Sequence, residues 1–182
     1  MILDQSENNK RIAKNTLLLY FRMFFTMAVT LYTSRVILKA LGVEDFGIYN
    51  VVAGIVTLFS FFSGALSSAA SRFISFELGS NNTSYLSKVF SAIFIIHLLF
   101  SVVVVCFAET IGLWVVNCKL TIPPERIFAA HVVYQFSVFS CIVGIMQIPL
   151  NAMIIAHERL GIYAYMSICE VIGKLSIAFV VT

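Results

Sequence analysis

Charged side chains are scarce in this sequence, and their scarcity excludes a soluble domain. Asp, Glu, Lys and Arg make up 12% of the 182 residues and hydrophobic residues 60%, against about 25% charged and about 45–50% apolar in soluble domains. So few charges cannot cover a water-facing surface. The net charge of +3 is small for this length, and no basic stripe neutralises phosphates, so nucleic acid is excluded as a partner.

Side chains that carry catalysis or bind metals are also few and scattered. The only aspartates are Asp4 and Asp45, and the three histidines, His97, His131 and His157, match no metal-ligand spacing. We find no Ser-His-Asp order, no glycine-rich phosphate loop and no acid/base cluster in a connecting segment. The sequence therefore predicts no catalytic residue, no metal and no cofactor, which argues against a membrane-bound sugar transferase.

Cysteines give no framework either. Cys106, Cys118, Cys141 and Cys169 include no CxxC pair, and three of them lie in apolar runs. This pattern predicts neither a zinc site nor a set of disulfides. We expect these cysteines to be ordinary small buried side chains.

Long apolar runs are what the sequence has in their place. About 20 residues of helix cross the hydrocarbon core of a bilayer. Five runs reach that length, and we predict an all-α, polytopic transmembrane bundle with spans at residues 16–41, 46–71, 89–116, 127–156 and 161–182. Residues 1–14 form a polar cytoplasmic segment, and residues 15–182 form the bundle. The first run is too long for a signal-peptide core, so we expect it to be retained.

Short connections separate these spans, at residues 42–45, 72–88, 117–126 and 157–159. Residues 79–82, Gly-Ser-Asn-Asn, are a breaker, and Asp45 is expected to cap the second helix. With the N-terminus in the cytoplasm, six Lys and Arg residues lie in inner segments and three in outer ones, so the positive-inside rule favours that orientation. The chain ends within an apolar run, and we expect a truncated first bundle, which a reading frame continuing downstream would establish.

Arg22 is the sharpest candidate for function, because it lies about one-third of the way into the first span. An arginine at mid-span costs about 2.5–3.5 kcal/mol on an insertion scale and usually faces a bundle interior or a polar cavity. Snorkelling to the cytoplasmic interface is the alternative. Arg35 is 13 residues further along, which places it about 140° away around a helix of 100° per residue.

Three other features allow a structural or a functional interpretation. In the second span, small residues spaced by four favour close helix packing or line a polar cavity; they are Ser60, Gly64 and Ser68, with Ser63, Ser67 and Ser71. Glu170 and Lys174 form a structural ion pair at i,i+4, or Glu170 is a coupling carboxylate. Gln147, Pro149 and Asn151 interrupt the fourth span as a structural kink or a hinge.

Four segments, taken together, resemble one known family. They are residues 35–50 (RVILKALGVEDFGIYN), 109–117 (ETIGLWVVN), 122–126 (IPPER) and 155–159 (IAHER). In this order and at these positions between spans, they resemble polysaccharide biosynthesis flippases, the lipopolysaccharide O-antigen exporters of Gram-negative bacteria. Those proteins belong to the multidrug/oligosaccharidyl-lipid/polysaccharide exporter superfamily. The resemblance extends from about Lys10 to Thr182.

The resemblance implies two bundles of six helices around a central cavity, of which this chain covers the first bundle short of its sixth helix. It implies export of undecaprenyl-pyrophosphate-linked oligosaccharide across the inner membrane. Expected partners are the lipid bilayer, the lipid-linked oligosaccharide and the missing C-terminal half. By resemblance, Arg22, Arg35 and Arg72 are expected to bind the substrate. The alternatives are a cation-coupled drug exporter of the same superfamily and a non-transporting membrane fragment.

Overall fold

Every regular element in the described part of the chain is helical. The computed structural model describes the backbone of residues 2–80 and 83–181, and the expectation of an all-α fold is confirmed there. The α-helices are α1 (Ile2–Thr57), α2 (Phe61–Gly79), α3 (Thr83–Phe107), α4 (Leu113–Cys118), α5 (Ile127–Ala156) and α6 (Leu160–Val181). Two 3-10 turns, Leu58–Ser60 and Pro124–Arg126, and a π-helical segment, Ala108–Gly112, connect some of them.

Four helical stretches of the described residues are long and apolar enough to cross a membrane. They are Ala13–Thr57, Tyr85–Cys118, Pro124–Ala156 and Leu160–Phe179. Large apolar side chains point outward: Phe61, Val43 and Phe128 are 84%, 82% and 80% exposed. Water opposes such exposure, whereas lipid does not. The chain is therefore a multispan membrane protein.

A single residue divides the long helix α1. Gly42 has φ 76° and ψ 174°, a left-handed, non-helical conformation that L side chains rarely adopt and glycine tolerates. The connection expected at residues 42–45 is therefore Gly42 alone, because Val43, Glu44 and Asp45 are already helical. The prediction that Asp45 caps the second helix is wrong. Its carboxylate instead accepts a hydrogen bond from Arg126 in an ion pair.

The second predicted span is not one helix. The 3-10 turn Leu58–Ser60 separates the end of α1 from α2, next to the point where the Thr57 hydroxyl donates to the Gly54 carbonyl at 2.7 Å. Side-chain bonds of this kind compete with the helical backbone. The expected connection at residues 72–88 is also wrong, because α2 continues to Gly79 and α3 begins at Thr83. Burial of Ile74 stabilises the extra turns of α2; Asn81 and Asn82 lie outside the described residues.

The first of two compact units is made from Met1–Val43 and Glu158–Thr182. Within it, the Arg22 guanidinium lies 4.5 Å from the centre of the Tyr163 ring, and the Tyr32 and Phe179 rings are 6.1 Å apart. Residue numbers rise together along both helices, so the first part of α1 and α6 run parallel. That direction is the one expected of the first and fifth spans of an alternating bundle.

The second unit comprises Glu44–His157 and has two buried clusters. One joins Ile93 of α3 to Ala70 and Ile74 of α2 and to Ile148 and Ala152 of α5. The other joins the end of α1 to α4, α5 and the π-helical segment through Val52, Val56, Ala108, Val116, Ala130, Tyr134 and Val138. Because Ile93 packs near Ile148 and Ala108 near Tyr134, helices α3 and α5 are antiparallel.

A buried tyrosine fits against the π-helical segment. Tyr134 is fully buried, and its hydroxyl donates to the Ala108 carbonyl at 2.7 Å. The same hydroxyl lies 1.9 Å from the point where a Cβ on Gly112 would stand. Only glycine leaves room there, and the extra residue of the π turn aims the Ala108 carbonyl at the tyrosine.

The expectation of buried cysteines is wrong for three of the four. Cys106, Cys118 and Cys169 are exposed on the outer faces of their helices, and Cys141 is half-buried. The reason is the solvent: in a bilayer the outward face of a helix is as apolar as its interior, so a small thiol has no preference for the core.

Candidate functional site

Arg22 lies well inside its span. It is nine residues after Ala13, where the first candidate span begins, or about 14 Å along a helix that rises 1.5 Å per residue. Its side chain is half-buried. The guanidinium stacks on the Tyr163 ring of α6 at 4.5 Å, a cation–π contact that offsets part of the desolvation of the charge.

Two hydrogen-bond donors of the Arg22 guanidinium have no acceptor among the described residues. Nε and Nη1 of Arg22 are buried, and neither has a hydrogen-bond partner within the described part of the chain. A buried N–H without an acceptor is costly, more so on a charged group. Stacking on Tyr163 therefore leaves two donors that an incoming anionic oxygen would satisfy. Because solvent does not reach them, a side-chain rotation must precede such a contact.

Arg22 and Arg35, the two predicted arginines of the first unit, do not form one cluster. Arg35 is exposed on α1, 13 residues and about 20 Å of helix from Arg22, too far for both to hold one phosphate group. Arg72 is exposed on α2 in the second unit, within a helix rather than in the predicted connection. Of the three, only Arg22 combines partial burial with unsatisfied donors.

The predicted ion pair on α6 forms. Lys174 Nζ donates to Glu170 Oε1 at 2.7 Å, and the two side chains are 67% and 54% exposed. This is the structural interpretation of the pair. A role of Glu170 in ion coupling stays a prediction, although pairing with Lys174 already neutralises its charge.

A cleft of about 650 Å³ opens in the second unit, between the end of α1, the start of α2 and the middle of α5. Its volume is in the range of small-molecule sites. None of the residues that line it is charged; they are Tyr49, Ala53, Val56, Thr57, Ser63, Val132, Val133, Phe136, Ser137, Ser140, Cys141, Gly144 and Ile145.

Hydroxyl groups give the cleft its polarity. The Ser137 hydroxyl donates to the Val133 carbonyl at 2.8 Å and the Thr57 hydroxyl to Gly54, so both oxygens can still accept. Ser63 and Ser140 have no hydrogen-bond partner among the described residues. The cleft thus offers acceptors and donors without charge, beside the aromatic rings of Tyr49 and Phe136.

The small residues of α2 divide between two faces. Ser63, Ser67 and Ser71 are half-buried, and Ser63 also lines the cleft. This row therefore contributes both to helix packing and to the wall of the cleft. Gly64 and Ser68 are exposed, and the side chain of Ser60 lies outside the described part. The buried face of α2 is apolar, with Ala70 and Ile74 against α3 and α5.

Helix α5 is continuous from Ile127 to Ala156 with Pro149 in its interior, and a kink at Gln147, Pro149 and Asn151 stays a prediction. Pro149 is fully buried, which holds the helix together at this point. Proline has no N–H, and the Ile145 carbonyl therefore lacks its helical donor. Ile145 lines the cleft. A hinge here stays a prediction.

Three polar contacts at one end of the second unit were not foreseen. Arg126 pairs with Asp45, His131 Nε2 donates to Asn117 Oδ1 at 2.8 Å, and Gln135 donates to Glu109 at 3.2 Å. Four of these residues, Asp45, Glu109, Asn117 and Arg126, belong to the segments that carry the family resemblance. Those segments meet in the structure, although Asp45 and Arg126 are 81 residues apart.

Neither a protein-family model, nor a curated protein, nor a solved structure matches this chain. The class that fold and sites define is a multispan helical membrane protein. One unit has a half-buried arginine with two buried, unpaired nitrogens, and the other has an uncharged, hydroxyl-lined cleft.

Proposed function

We propose that this chain acts in the export of undecaprenyl-pyrophosphate-linked oligosaccharide across the bacterial inner membrane, with its N-terminus in the cytoplasm. The observation that carries the proposal is Arg22, whose Nε and Nη1 are buried inside a span without an acceptor. Nothing in ordinary helix packing requires a guanidinium in that place. A substrate with an anionic group that enters the membrane region explains it.

A pyrophosphate suits these donors. Guanidinium is planar, always charged, and donates two parallel hydrogen bonds to phosphate oxygens. The contact has most effect where water is excluded, as it is around Nε and Nη1 of Arg22. Tyr163 packs against the plane of the guanidinium, and a rotation of the side chain would bring its donors to the ligand.

The cleft of the second unit, taken by itself, has a lining that suits a sugar. Sugar hydroxyls lose water partners when they enter hydrocarbon, at a cost of roughly 2–7 kcal/mol for each group left unpaired. Thr57, Ser63, Ser137 and Ser140 offer replacement partners, and the absence of charge among the lining residues matches a neutral sugar.

A reconstitution assay tests the proposal. The full-length protein is reconstituted in phosphatidylethanolamine/phosphatidylglycerol vesicles. The vesicles also contain polyprenyl-pyrophosphate oligosaccharide that carries a fluorophore on the sugar. Dithionite quenches only fluorophores in the outer leaflet, so vesicles with the protein are expected to lose more fluorescence than empty ones. A cationic drug is the comparison substrate. Drug movement without movement of the lipid-linked sugar would replace this proposal with a drug exporter.

Filling the cleft is expected to slow transport. A Cβ at Gly144 meets no atom within 4 Å, and Gly144 lines the cleft, so Gly144→Leu extends a side chain into that space. Leucine favours helix over glycine by about 1 kcal/mol, and the fold is retained. Flipping of the labelled oligosaccharide is expected to fall at least about tenfold if the lost hydroxyl contacts are worth about 1.4 kcal/mol together.

The matched control is Gly173→Leu on α6, where a Cβ also meets nothing within 4 Å and which is not one of the residues that line the cleft. It is expected to transport at the unmodified rate. If both variants and the unmodified protein flip the labelled oligosaccharide at equal rates, the cleft does not bind the sugar during transport.

A further inference from the structure

His97 is a titratable side chain buried in the second unit. It lies in α3 and is 2% exposed, and Ser101, one turn further on, is 3% exposed. The surrounding face of α3 packs in both directions along the helix: Ile93 contacts α2 and α5, and the Phe100 ring lies 5.9 Å from Phe62 of α2. His97 thus lies between packed layers and not on the lipid-facing surface.

Hydrogen bonding defines the protonation state of the ring. His97 Nδ1 lies 2.7 Å from the Ile93 carbonyl, which can only accept, so Nδ1 carries the proton. In the neutral ring Nε2 is then an acceptor. It is buried and has no partner within the described part of the chain. The Ser101 hydroxyl is turned away to the His97 carbonyl at 2.8 Å.

The elements packed against this part of α3 provide no counter-charge. The charged or titratable side chains of α2, α5 and α3 itself are Arg72, Glu77, Lys88, Cys106, His131, Tyr134 and Cys141, together with Tyr85 near the start of α3. None of them bonds to Nε2 in the described residues. Arg72 is exposed, and the Tyr134 hydroxyl is engaged by Ala108.

A comparison with His157 shows that the bond from Nδ1 to a carbonyl four residues earlier does not by itself leave Nε2 without a partner. Its Nδ1 lies 2.9 Å from the Met153 carbonyl four residues earlier, the same arrangement, but its side chain is exposed. Water can serve its second nitrogen in either protonation state. Burial is what distinguishes His97, and a buried polar atom without a partner calls for an explanation.

We propose that His97 is a proton-binding site in the interior of the second unit, and that proton uptake at Nε2 loosens α3 from α2 and α5. A proton from water bonds to the Nε2 lone pair and converts imidazole to imidazolium; its release reverses the step. The imidazolium has an N–H with no acceptor and a charge with no partner, so the closed packing cannot hold it. A shift of α3, or entry of water beside it, satisfies both.

This site binds a proton whatever the transported substrate is, and it is tested without substrate. A variant with His131→Gln and His157→Gln retains His97 as the single histidine of residues 1–182. With ring-labelled histidine, infrared or magnetic-resonance spectra report the protonation of His97 directly between about pH 8 and pH 5, the range in which imidazoles change charge. Hydrogen exchange over residues 93–104, corrected for intrinsic rates, reports the packing in the same samples.

When His97 is protonated, exchange in residues 93–104 is expected to rise roughly tenfold. In His97→Phe, which fills the site without titrating, exchange is expected to stay constant with pH; His97→Asn is the second neutral variant if phenylalanine overpacks. The inference is overturned if the ring stays neutral throughout, if it protonates with unchanged exchange, or if a neutral variant shows the same rise. Failure of the flipping assay leaves these outcomes intact.

Discussion

Arg22→Ala is expected to slow flipping of lipid-linked oligosaccharide at least about tenfold while the protein accumulates at its normal level. Alanine removes a charged, bidentate donor, and hydrogen bonds to charged groups are worth about 1.5–3 kcal/mol, or roughly 10- to 100-fold in rate. Loss of the guanidinium also removes two unsatisfied buried donors. The fold is therefore expected to tolerate the change, which separates a transport defect from a folding defect.

Two further variants sharpen this result. Arg22→Lys retains the charge but not the planar fork, and it is expected to recover only part of the activity. Lys39→Ala removes an exposed cation from the same helix and is expected to transport normally. The measurement is the dithionite assay at matched protein density. Normal flipping by Arg22→Ala would eliminate Arg22 as a ligand and with it the observation on which the proposed function rests.

Gly112→Ala is expected to destabilise the second unit more than any other single methyl addition at a described glycine. The new Cβ would lie 1.9 Å from the Tyr134 hydroxyl and 3.0 Å from Cζ, whereas no other glycine has a neighbour within 4 Å of its Cβ position. Tyr134 cannot retreat, because it is fully buried and bonded to the Ala108 carbonyl. Overpacking of this kind costs about 1–3 kcal/mol.

A double-mutant cycle identifies the cause. Tyr134→Phe removes the clashing oxygen and one hydrogen bond worth about 1 kcal/mol. The Ala108 carbonyl keeps the Leu113 N–H as a donor. Gly112→Ala is therefore expected to cost less in the Tyr134→Phe background than alone. The readout is the midpoint of SDS-induced unfolding by circular dichroism. Gly64→Ala, at an open helical site, is the control and is expected to be neutral or stabilising.

Composition and the length of the apolar runs predict the helical class and the membrane environment. Some of the predicted helix ends are also correct. The break at Gly42, the end of α5 at Ala156 and the Glu170–Lys174 pair were all predicted, because each depends on neighbours within a few residues. Arg22 also stood out in the sequence, since an arginine in an apolar run is visible without a structure. Its stacking on Tyr163 was not visible, because 141 residues separate the two.

The wrong predictions share a cause. The loop at residues 72–88 proved to be mostly helix because Ile74 is buried against Ile93 and Ile148. Asp45 bonds to Arg126 rather than capping a helix. In the sequence His97 is a lone histidine that matches no metal-ligand spacing. What distinguishes it is burial of its side chain in the folded second unit. No local signal reports such packing, although a histidine in an apolar span is a reason to examine its surroundings.

By itself, the sequence determined the solvent of this protein, because too few charges and too many apolar residues leave lipid as the only favourable surroundings. It also determined the helical class, since backbone groups in lipid must be satisfied within the segment. Only the tertiary structure decided which buried side-chain atoms of the described residues remain unsatisfied: two nitrogens of Arg22 and one of His97. Satisfaction depends on what distant segments place within about 3 Å, and that distance is set by packing.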